Sequence, residues 1–275
     1  MADQVHRPVA PVNATLVIPD VPYSSANGEP LLLDILRPDP VPSQRLPAII
    51  EVHGGGWYEG EKDVERNRLL AEHGFFTVSV NYRLSGQAPF PAQIHDLKAA
   101  VRWMRAHADT YHVAPDRIGV WGGSAGGHLV ALLGTSGDIP ALEGEGGWGD
   151  YSSRVQAVAD ECGATDMHDP AFLERRKPGG ALDQLFGGPI EERSDLVRMA
   201  NPIQYIGADV PPFLIVHGTD DEIVPVSQSE WLTEALEKVG ADVTYVPVPG
   251  GKHAFAEHWD TSMEHLRLQW FLAHL

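Results

Sequence analysis

The chain has 275 residues, of which 43% are hydrophobic and 21% are charged, a composition typical of a globular protein with a sizeable core. Its formal net charge of −18 argues against nucleic acids and anionic membrane surfaces as partners, because both would repel the chain.

Apolar segments rich in β-branched residues recur along the chain and predict strands. In chain order they read ATLVI, LLLDIL, LPAIIEVHG, FFTVSVNYRL, RIGVWG, VQAVADECG, PPFLIVHG and DVTYVPVPG. Several are almost continuously apolar, which is the pattern of strands buried on both faces. The first two have only short connections, so we expect them to pair antiparallel at one end of the sheet.

Helical patterns lie between these strands. Apolar residues recur at helical spacing from Ala92 to Ala108, and a second helix is predicted from Val226 to Val239, with Gly240 as its C-terminal cap. Strands that alternate with helices predict an α/β domain, residues 1–275, whose mostly parallel sheet is covered by helices on both faces.

Two long segments interrupt this alternation. Residues 137–153 are rich in glycine, and residues 165–200 mix charged residues with proline and glycine. Loops of this length in a compact domain are usually functional, so we interpret both as lid segments that roof a pocket.

The run Gly122-Gly123-Ser124-Ala125-Gly126 fits the G-x-S-x-G pattern of a nucleophile elbow. It follows a predicted buried strand and opens a predicted helix, which is the context that this motif requires. Glycines are needed because the backbones beside a strained serine approach too closely for larger side chains. We therefore predict Ser124 as a nucleophile.

A second glycine-rich run, His53-Gly54-Gly55-Gly56-Trp57, follows the predicted strand AIIEV. Consecutive glycines can turn backbone N–H groups toward one point, as stabilisation of a developing oxyanion requires. We predict that the N–H groups of Gly55, Gly56 and Ala125 form this oxyanion hole. Trp57 either walls the substrate pocket or simply packs beside the loop.

A serine nucleophile needs a base, and the base needs an acid. His253 follows a glycine pair beyond the last predicted strand, whereas its rivals His258 and His265 lie on an apparent C-terminal helix. The acid is either Asp220 or Asp221, because both follow the strand PPFLIV.

Other polar residues are expected to be structural. These are His128 and His217, a pair formed by Arg83 and Asp96, and Cys162 as a small buried side chain. Metal-ligand spacing such as H-E-x-x-H is absent, and so are nucleotide-binding motifs, so we expect neither a metal nor a cofactor.

Together, these motifs resemble the α/β-hydrolase superfamily, in particular its HGGG-bearing serine esterases. LPAIIEVHGGGW, RIGVWGGSAGGH, HGTDDEIVP and GGKHAF follow one another in the order found there. The run HGTDDEIVP is similar to the family loop H-G-x-x-D-x-x-V-P, which favours Asp221 over Asp220 as the acid. Gly123 stands where hormone-sensitive-lipase-like esterases usually carry aspartate. The chain is more similar to the bifunctional feruloyl and acetyl-xylan esterases.

The resemblance implies a serine carboxylesterase acting on acetylated or hydroxycinnamoylated carbohydrates or on short-chain acyl esters. An arylformamidase-like amide hydrolase and a non-catalytic ligand sensor on the same scaffold are the alternatives. We expect a small-molecule ester as its partner, neither nucleic acid nor membrane, and allow for a homodimer. The single cysteine and the lack of a signal-peptide pattern lead us to expect a cytoplasmic location.

Overall fold

The computed structural model describes residues 14–255 and 261–275. Within them, eight strands form one sheet in the order β1-β2-β4-β3-β5-β6-β7-β8. The strands are β1 (Ala14–Ala26), β2 (Glu29–Asp39), β3 (Leu46–Val52), β4 (Phe76–Val80), β5 (Val113–Gly123), β6 (Ala157–Glu161), β7 (Phe213–Gly218) and β8 (Val243–Val248).

The sheet is antiparallel at one end and parallel elsewhere. β1 pairs antiparallel with β2, and β2 pairs antiparallel with β4, whereas every pairing from β4 to β8 is parallel. The tight turn at Asn27-Gly28, where φ is positive at both residues, joins β1 to β2. Such a turn matches the twist of a hairpin, and the predicted antiparallel pairing at one end of the sheet is confirmed.

Ten α-helices flank this sheet in the described residues. They are α1 (Arg68–Glu72), α2 (Ala92–Ala106), α3 (Ala108–Tyr111), α4 (Ala125–Thr135), α5 (Pro140–Glu143), α6 (Pro170–Glu174), α7 (Ala181–Leu185), α8 (Ser194–Ala200), α9 (Ser227–Lys238) and α10 (Thr261–His274). The two predicted helices correspond to α2 and α9, each within two residues of its predicted bounds. Gly240 follows α9 with a φ of 76°, as a C-terminal cap requires. None of the helices in the described ranges is long and apolar enough to cross a membrane.

Alternate residues of the central strands pack on opposite faces of the sheet. Ile50 of β3 lies in the core beneath α2 and α4, whereas Ile49 packs with Leu70 of α1 and Phe271 of α10. Because successive side chains of a strand point to opposite faces, neighbouring apolar residues enter two separate cores, one on each face of the sheet. This is why the strand sequences are almost continuously apolar.

The carboxyl ends of the parallel strands lie at one edge of the sheet. The run His53–Trp57, here called the glycine loop, follows β3 there, Ser124 follows β5, Asp221 follows β7 and His253 follows β8. Ligands bind at this edge in open α/β sheets. The order and direction of the strands therefore place the predicted site residues at the same edge of the sheet.

Candidate active site

Ser124 stands on a strained turn between β5 and α4. Its φ of 58° and ψ of −118° lie in a region that side-chain-bearing residues rarely adopt. Its N–H donates to the Glu161 carbonyl oxygen at 2.8 Å, which ties the turn to β6. A Cβ at Gly126 would overlap the Val52 carbonyl oxygen, so only glycine lets α4 start this close to β3.

His253 joins the serine to an aspartate. Its Nε2 lies 2.8 Å from Ser124 Oγ, and its Nδ1 lies 2.7 Å from Asp221 Oδ2. With the carboxylate as acceptor, Nδ1 carries the proton and Nε2 has a free lone pair toward the serine hydroxyl. The imidazole is thus oriented to accept the hydroxyl proton.

The structure places Asp221, not Asp220, against the histidine. Asp221 is buried, and its Oδ1 accepts hydrogen bonds from the backbone N–H groups of Ile223 and Val224 at 2.8 and 2.9 Å. Asp220 is exposed and accepts from the Thr219 hydroxyl at 3.0 Å. The hydrogen bonds at Asp221 fix both carboxylate oxygens in place.

Burial by itself would raise the pKa of Asp221, but hydrogen bonds from His217 and His253 outweigh it. Together with the positive charge that His253 can carry and the Ile223 N–H, they hold the pKa of this carboxyl well below its usual range. Asp221 is therefore ionised whenever the site is near neutral pH.

His217, which the sequence pattern predicts to be structural, contacts Asp221. Its Nε2 lies 3.2 Å from Asp221 Oδ2 and 3.1 Å from the Val224 carbonyl oxygen, while its Nδ1 lies 2.6 Å from Ser229 Oγ. Both Nε2 neighbours are acceptors, so Nε2 carries the proton and the Ser229 hydroxyl donates to Nδ1. The signal was in the sequence, since this histidine opens the same HGTDD run four residues before the acid.

The three predicted oxyanion donors belong to residues that line the same cavities as Ser124. Gly55 and Gly56 have positive φ values of 106° and 56°, and they line the cavities beside the serine, as does Ala125. Ala125 is the first residue of α4, where backbone N–H groups have no helical acceptor. Within the described part of the chain, none of these three N–H groups donates to a protein oxygen. They are free to bind a negatively charged oxygen.

Trp57 has both of the roles considered from the sequence, since it lines the pocket and also packs beside the glycines of this loop. It lines the cavity at Ser124, yet it is buried, and its Nε1 donates to His128 Nδ1 at 3.1 Å. His128 donates in turn to the Ala200 carbonyl oxygen at 2.7 Å. Burial lowers the pKa of His128 to about 4, which keeps this bridge neutral. The bridge connects the glycine loop to the end of α8.

Two cavities meet at Ser124. The larger, about 670 Å³, is lined by Trp57, Ala164, Phe172, Leu182, Val224 and several charged residues of segment 165–200. The smaller, about 470 Å³, is lined by the glycine loop, Arg66, Glu161, Cys162 and His253. Segment 137–153 lies elsewhere, where Glu143 pairs with Lys98 and Arg102 of α2.

Cys162, Asp221 and His253 form the one group of possible metal ligands in the described residues, with their ligand atoms within 4.8 Å of one another. His253 Nδ1 and Asp221 Oδ2 are already hydrogen-bonded to each other. Burial raises the pKa of the Cys162 thiol well above its usual range, which disfavours the thiolate that a metal needs. This donor set therefore suits proton transfer better than metal binding, and the expectation of no metal stays a prediction.

The remaining candidates lie outside the cluster. Arg83 Nη2 forms the expected ion pair with Asp96 at 2.6 Å, with Asp96 buried and Arg83 partly exposed. His265 lies on α10 and lines neither cavity. His258 falls outside the described residues.

The chain is similar in sequence and in fold to several known proteins. The BD-FAE family model matches residues 33–236. Among curated proteins, the chain is similar to Esterase LipQ of Mycobacterium tuberculosis, with 35% identity over 240 residues that cover 86% of this chain and 56% of LipQ. The chain thus spans a little over half the length of this curated relative.

Two solved structures are similar over nearly their whole length. One is a truncated form of a carbohydrate esterase from gut microbiota, with a TM-score of 0.81, 29% identity, and coverage of 97% of this chain and 98% of that one. The other is the thermophilic esterase Est2 of Thermogutta terrifontis, with a TM-score of 0.76, 27% identity, and coverage of 92% and 93%. The α/β-hydrolase fold implied by the sequence resemblance is therefore confirmed.

Proposed function

This chain belongs to the BD-FAE family, and we propose that it is a serine carboxylesterase that hydrolyses small carboxylic esters. The observation that carries the proposal is the continuous hydrogen-bonded chain from Ser124 Oγ through the His253 imidazole to the Asp221 carboxylate, at 2.8 and 2.7 Å. A serine on a strained turn, a histidine within hydrogen-bond distance of its hydroxyl and an ionised acid are the parts that acyl transfer to serine requires.

In the proposed reaction, His253 removes the proton from Ser124, and Oγ attacks the ester carbonyl carbon. The negative charge that develops on the carbonyl oxygen is stabilised by N–H groups of Gly55, Gly56 and Ala125. Asp221 stabilises the imidazolium, which then protonates the leaving alcohol. A water molecule, activated by the same imidazole, hydrolyses the acyl-serine and regenerates the hydroxyl.

The substrates we propose are acetylated or hydroxycinnamoylated carbohydrates or short-chain acyl esters. A carbohydrate esterase and an esterase with bound propionate are among the similar structures. The larger cavity, about 670 Å³ with Trp57 and Phe172 in its lining, has room for an aromatic acyl group. No cofactor enters this mechanism, and we propose segment 165–200 as the roof over the acyl group.

We further propose that the protein acts in the cytoplasm, because its single cysteine is a free thiol that suits a reducing compartment. The homodimer stays a prediction, and light scattering after size-exclusion chromatography would test it.

Hydrolysis of p-nitrophenyl esters from acetate to decanoate, together with a feruloyl ester and a formanilide, tests the activity. The wild type is expected to turn over esters, and Ser124→Ala is expected to lower kcat by a factor on the order of 10⁶. Ser43→Ala is the matched control, because Ser43 is exposed and lines neither cavity.

Covalent labelling gives a second readout. T. terrifontis esterase 2 has been solved phosphorylated by paraoxon, so paraoxon is expected to add one diethylphosphoryl group to Ser124 of this chain and none to Ser124→Ala. Ester turnover that survives in Ser124→Ala, or labelling of another residue, would contradict the proposal. Turnover of the formanilide alone would favour an amide hydrolase, and folded wild type inactive on every substrate would favour a sensor.

A further inference from the structure

Segment 165–200 contains the only run of adjacent arginine and lysine residues in the sequence, Arg175-Arg176-Lys177. All three line the larger cavity beside Ser124, and both Arg175 and Lys177 are exposed there. In a chain with a net charge of −18, a basic cluster at this position runs against the average charge of the surface. Packing does not account for it, because exposed side chains contribute little to a core.

Two of the three positive charges in this cluster, those of Arg175 and Lys177, are not balanced by carboxylates of the described residues. Arg176 is neutralised, since it pairs with Glu191 at 2.7 Å and Asp183 at 3.5 Å. Arg175 donates instead to a neutral acceptor, the Asp221 backbone carbonyl oxygen at 2.8 Å. Within the described residues, neither Arg175 nor Lys177 forms an ion pair. Glu222 is the one acidic residue in the lining, so the lining has a net positive charge.

The position of His253 indicates which part of an ester occupies each cavity. His253 lines the smaller cavity and does not line the larger one. Under the proposed mechanism His253 protonates the leaving alcohol, so the alcohol departs on the side of the smaller cavity. The acyl group then occupies the larger cavity, with its apolar part against Phe172 and Leu182 and its far end toward the basic residues.

We infer that the larger cavity selects esters whose acyl group ends in a carboxylate, such as half-esters of dicarboxylic acids, and that Arg175 and Lys177 bind this carboxylate. The inference rests on the proposed esterase function. Arginine suits the role because its guanidinium donates in a planar array that matches a carboxylate. Anchoring of Arg175 to the Asp221 carbonyl also places that charge at a fixed distance from the acid loop.

The test compares two p-nitrophenyl esters that differ in charge and hardly in size: the p-nitrophenyl monoester of adipic acid, which ends in a carboxylate, and the p-nitrophenyl ester of adipamic acid, which ends in a neutral amide. The measured quantity is the ratio of their kcat/KM values, after subtraction of the rate with Ser124→Ala. We expect the wild type to favour the anionic ester by about tenfold or more, and Lys177→Met and Arg175→Met each to lower the ratio by about three- to tenfold. The preference should also shrink as sodium chloride rises from about 0.02 to 0.5 M.

Lys238→Met is the matched control, because the Lys238 side chain is 75% exposed on α9 and lies outside both cavities. It is expected to leave the ratio unchanged. A second pair, 4-acetoxybenzoate and phenyl acetate, carries the same charge difference on the leaving alcohol. Lys177→Met is expected not to alter the ratio for that pair.

The outcomes separate the inference from the function on which it rests. Absence of Ser124-dependent turnover of every ester would overturn the proposed function. Ser124-dependent turnover with no preference for the adipate ester, or with a preference that both cavity variants retain, would overturn the inference alone. A charge effect confined to the 4-acetoxybenzoate pair would overturn the placement of the acyl group in the larger cavity.

Discussion

The two adjacent aspartates after β7 show how differently two identical side chains can be used. Asp221 is buried and accepts from two backbone N–H groups and from the imidazoles of His217 and His253. Asp220 is exposed, and its carboxylate accepts from the Thr219 hydroxyl. The charge of Asp221 therefore faces the base from a buried position, where electrostatic interactions are stronger than in water. The charge of Asp220 is screened by solvent.

Substitution of each aspartate by asparagine separates these roles. Asp221→Asn is expected to lower kcat by up to ~10⁴, because an amide can donate to Nδ1 and so favour the wrong imidazole tautomer. Asp220→Asn is the matched control and is expected to change kcat less than about threefold. Steady-state kinetics on the ester that the wild type prefers would measure both. A larger loss in Asp220→Asn than in Asp221→Asn would contradict the assignment of the acid.

At the scale of elements, the contact between α4 and β3 fixes the position of the serine. The start of α4 lies against the end of β3, where a Cβ at Gly126 would overlap the Val52 carbonyl oxygen and approach the His53 carbonyl group. The same β3 end leads into the glycine loop. Backbone contact therefore sets the distance between the nucleophile and the oxyanion donors. No side chain lies between the two backbones at this contact, so the distance cannot adjust by a change of rotamer.

Gly126→Ala tests that contact. The added methyl group must push α4 away from β3, which is expected to lower the free energy of unfolding by about 1–3 kcal/mol and to reduce kcat. Gly86→Ala is the control, since a Cβ at Gly86 meets no atom within 4 Å, and its effect should stay within about 0.5 kcal/mol. Urea denaturation and ester kinetics would give both values. Equal stability of the two variants would mean that the contact can relax freely.

The elements that the sequence predicted well are those with local signals. Apolar runs located all eight strands, and the glycines around Ser124 located the turn, because each signal reflects burial or backbone sterics within a few residues. The contact of His217 with Asp221 was missed, since it depends on how the loop after β7 folds back onto the strand. The sequence also did not show that segment 165–200 lines a cavity at Ser124 whereas segment 137–153 does not. Glycine content marks both as irregular, but only the packing of Glu143 against α2 shows that the first lies away from Ser124.

At the scale of the whole molecule, buried carboxyl groups and a buried histidine change the pH dependence of stability in opposite directions. Burial raises the pKa of Asp160 to about 7 and that of Glu51 to about 7, and it lowers the pKa of His128 to about 4. A raised carboxyl pKa means that the folded state binds more protons than the unfolded state, so stability falls as pH rises from about 4 to 7. A lowered histidine pKa has the reverse effect from about 4 to 6.5, so the two contributions oppose each other in wild type.

Asp160→Asn isolates one of these terms. Asp160 Oδ1 accepts from the Gly163 N–H at 2.9 Å, a bond that asparagine can keep, while Oδ2 is buried with no partner among the described residues. The stability of the variant relative to wild type is therefore expected to increase between pH 4 and pH 7, by about 1–4 kcal/mol in total, and to be constant above that range. Any cost of the buried amide is independent of pH and shifts the whole curve without altering this rise.

The control is Asp195→Asn, which removes a carboxylate whose side chain is 90% exposed on α8. Urea denaturation at each pH measures the differences, and a flat Asp160→Asn difference would mean that the Asp160 pKa is the same in the folded and unfolded states, in spite of its burial.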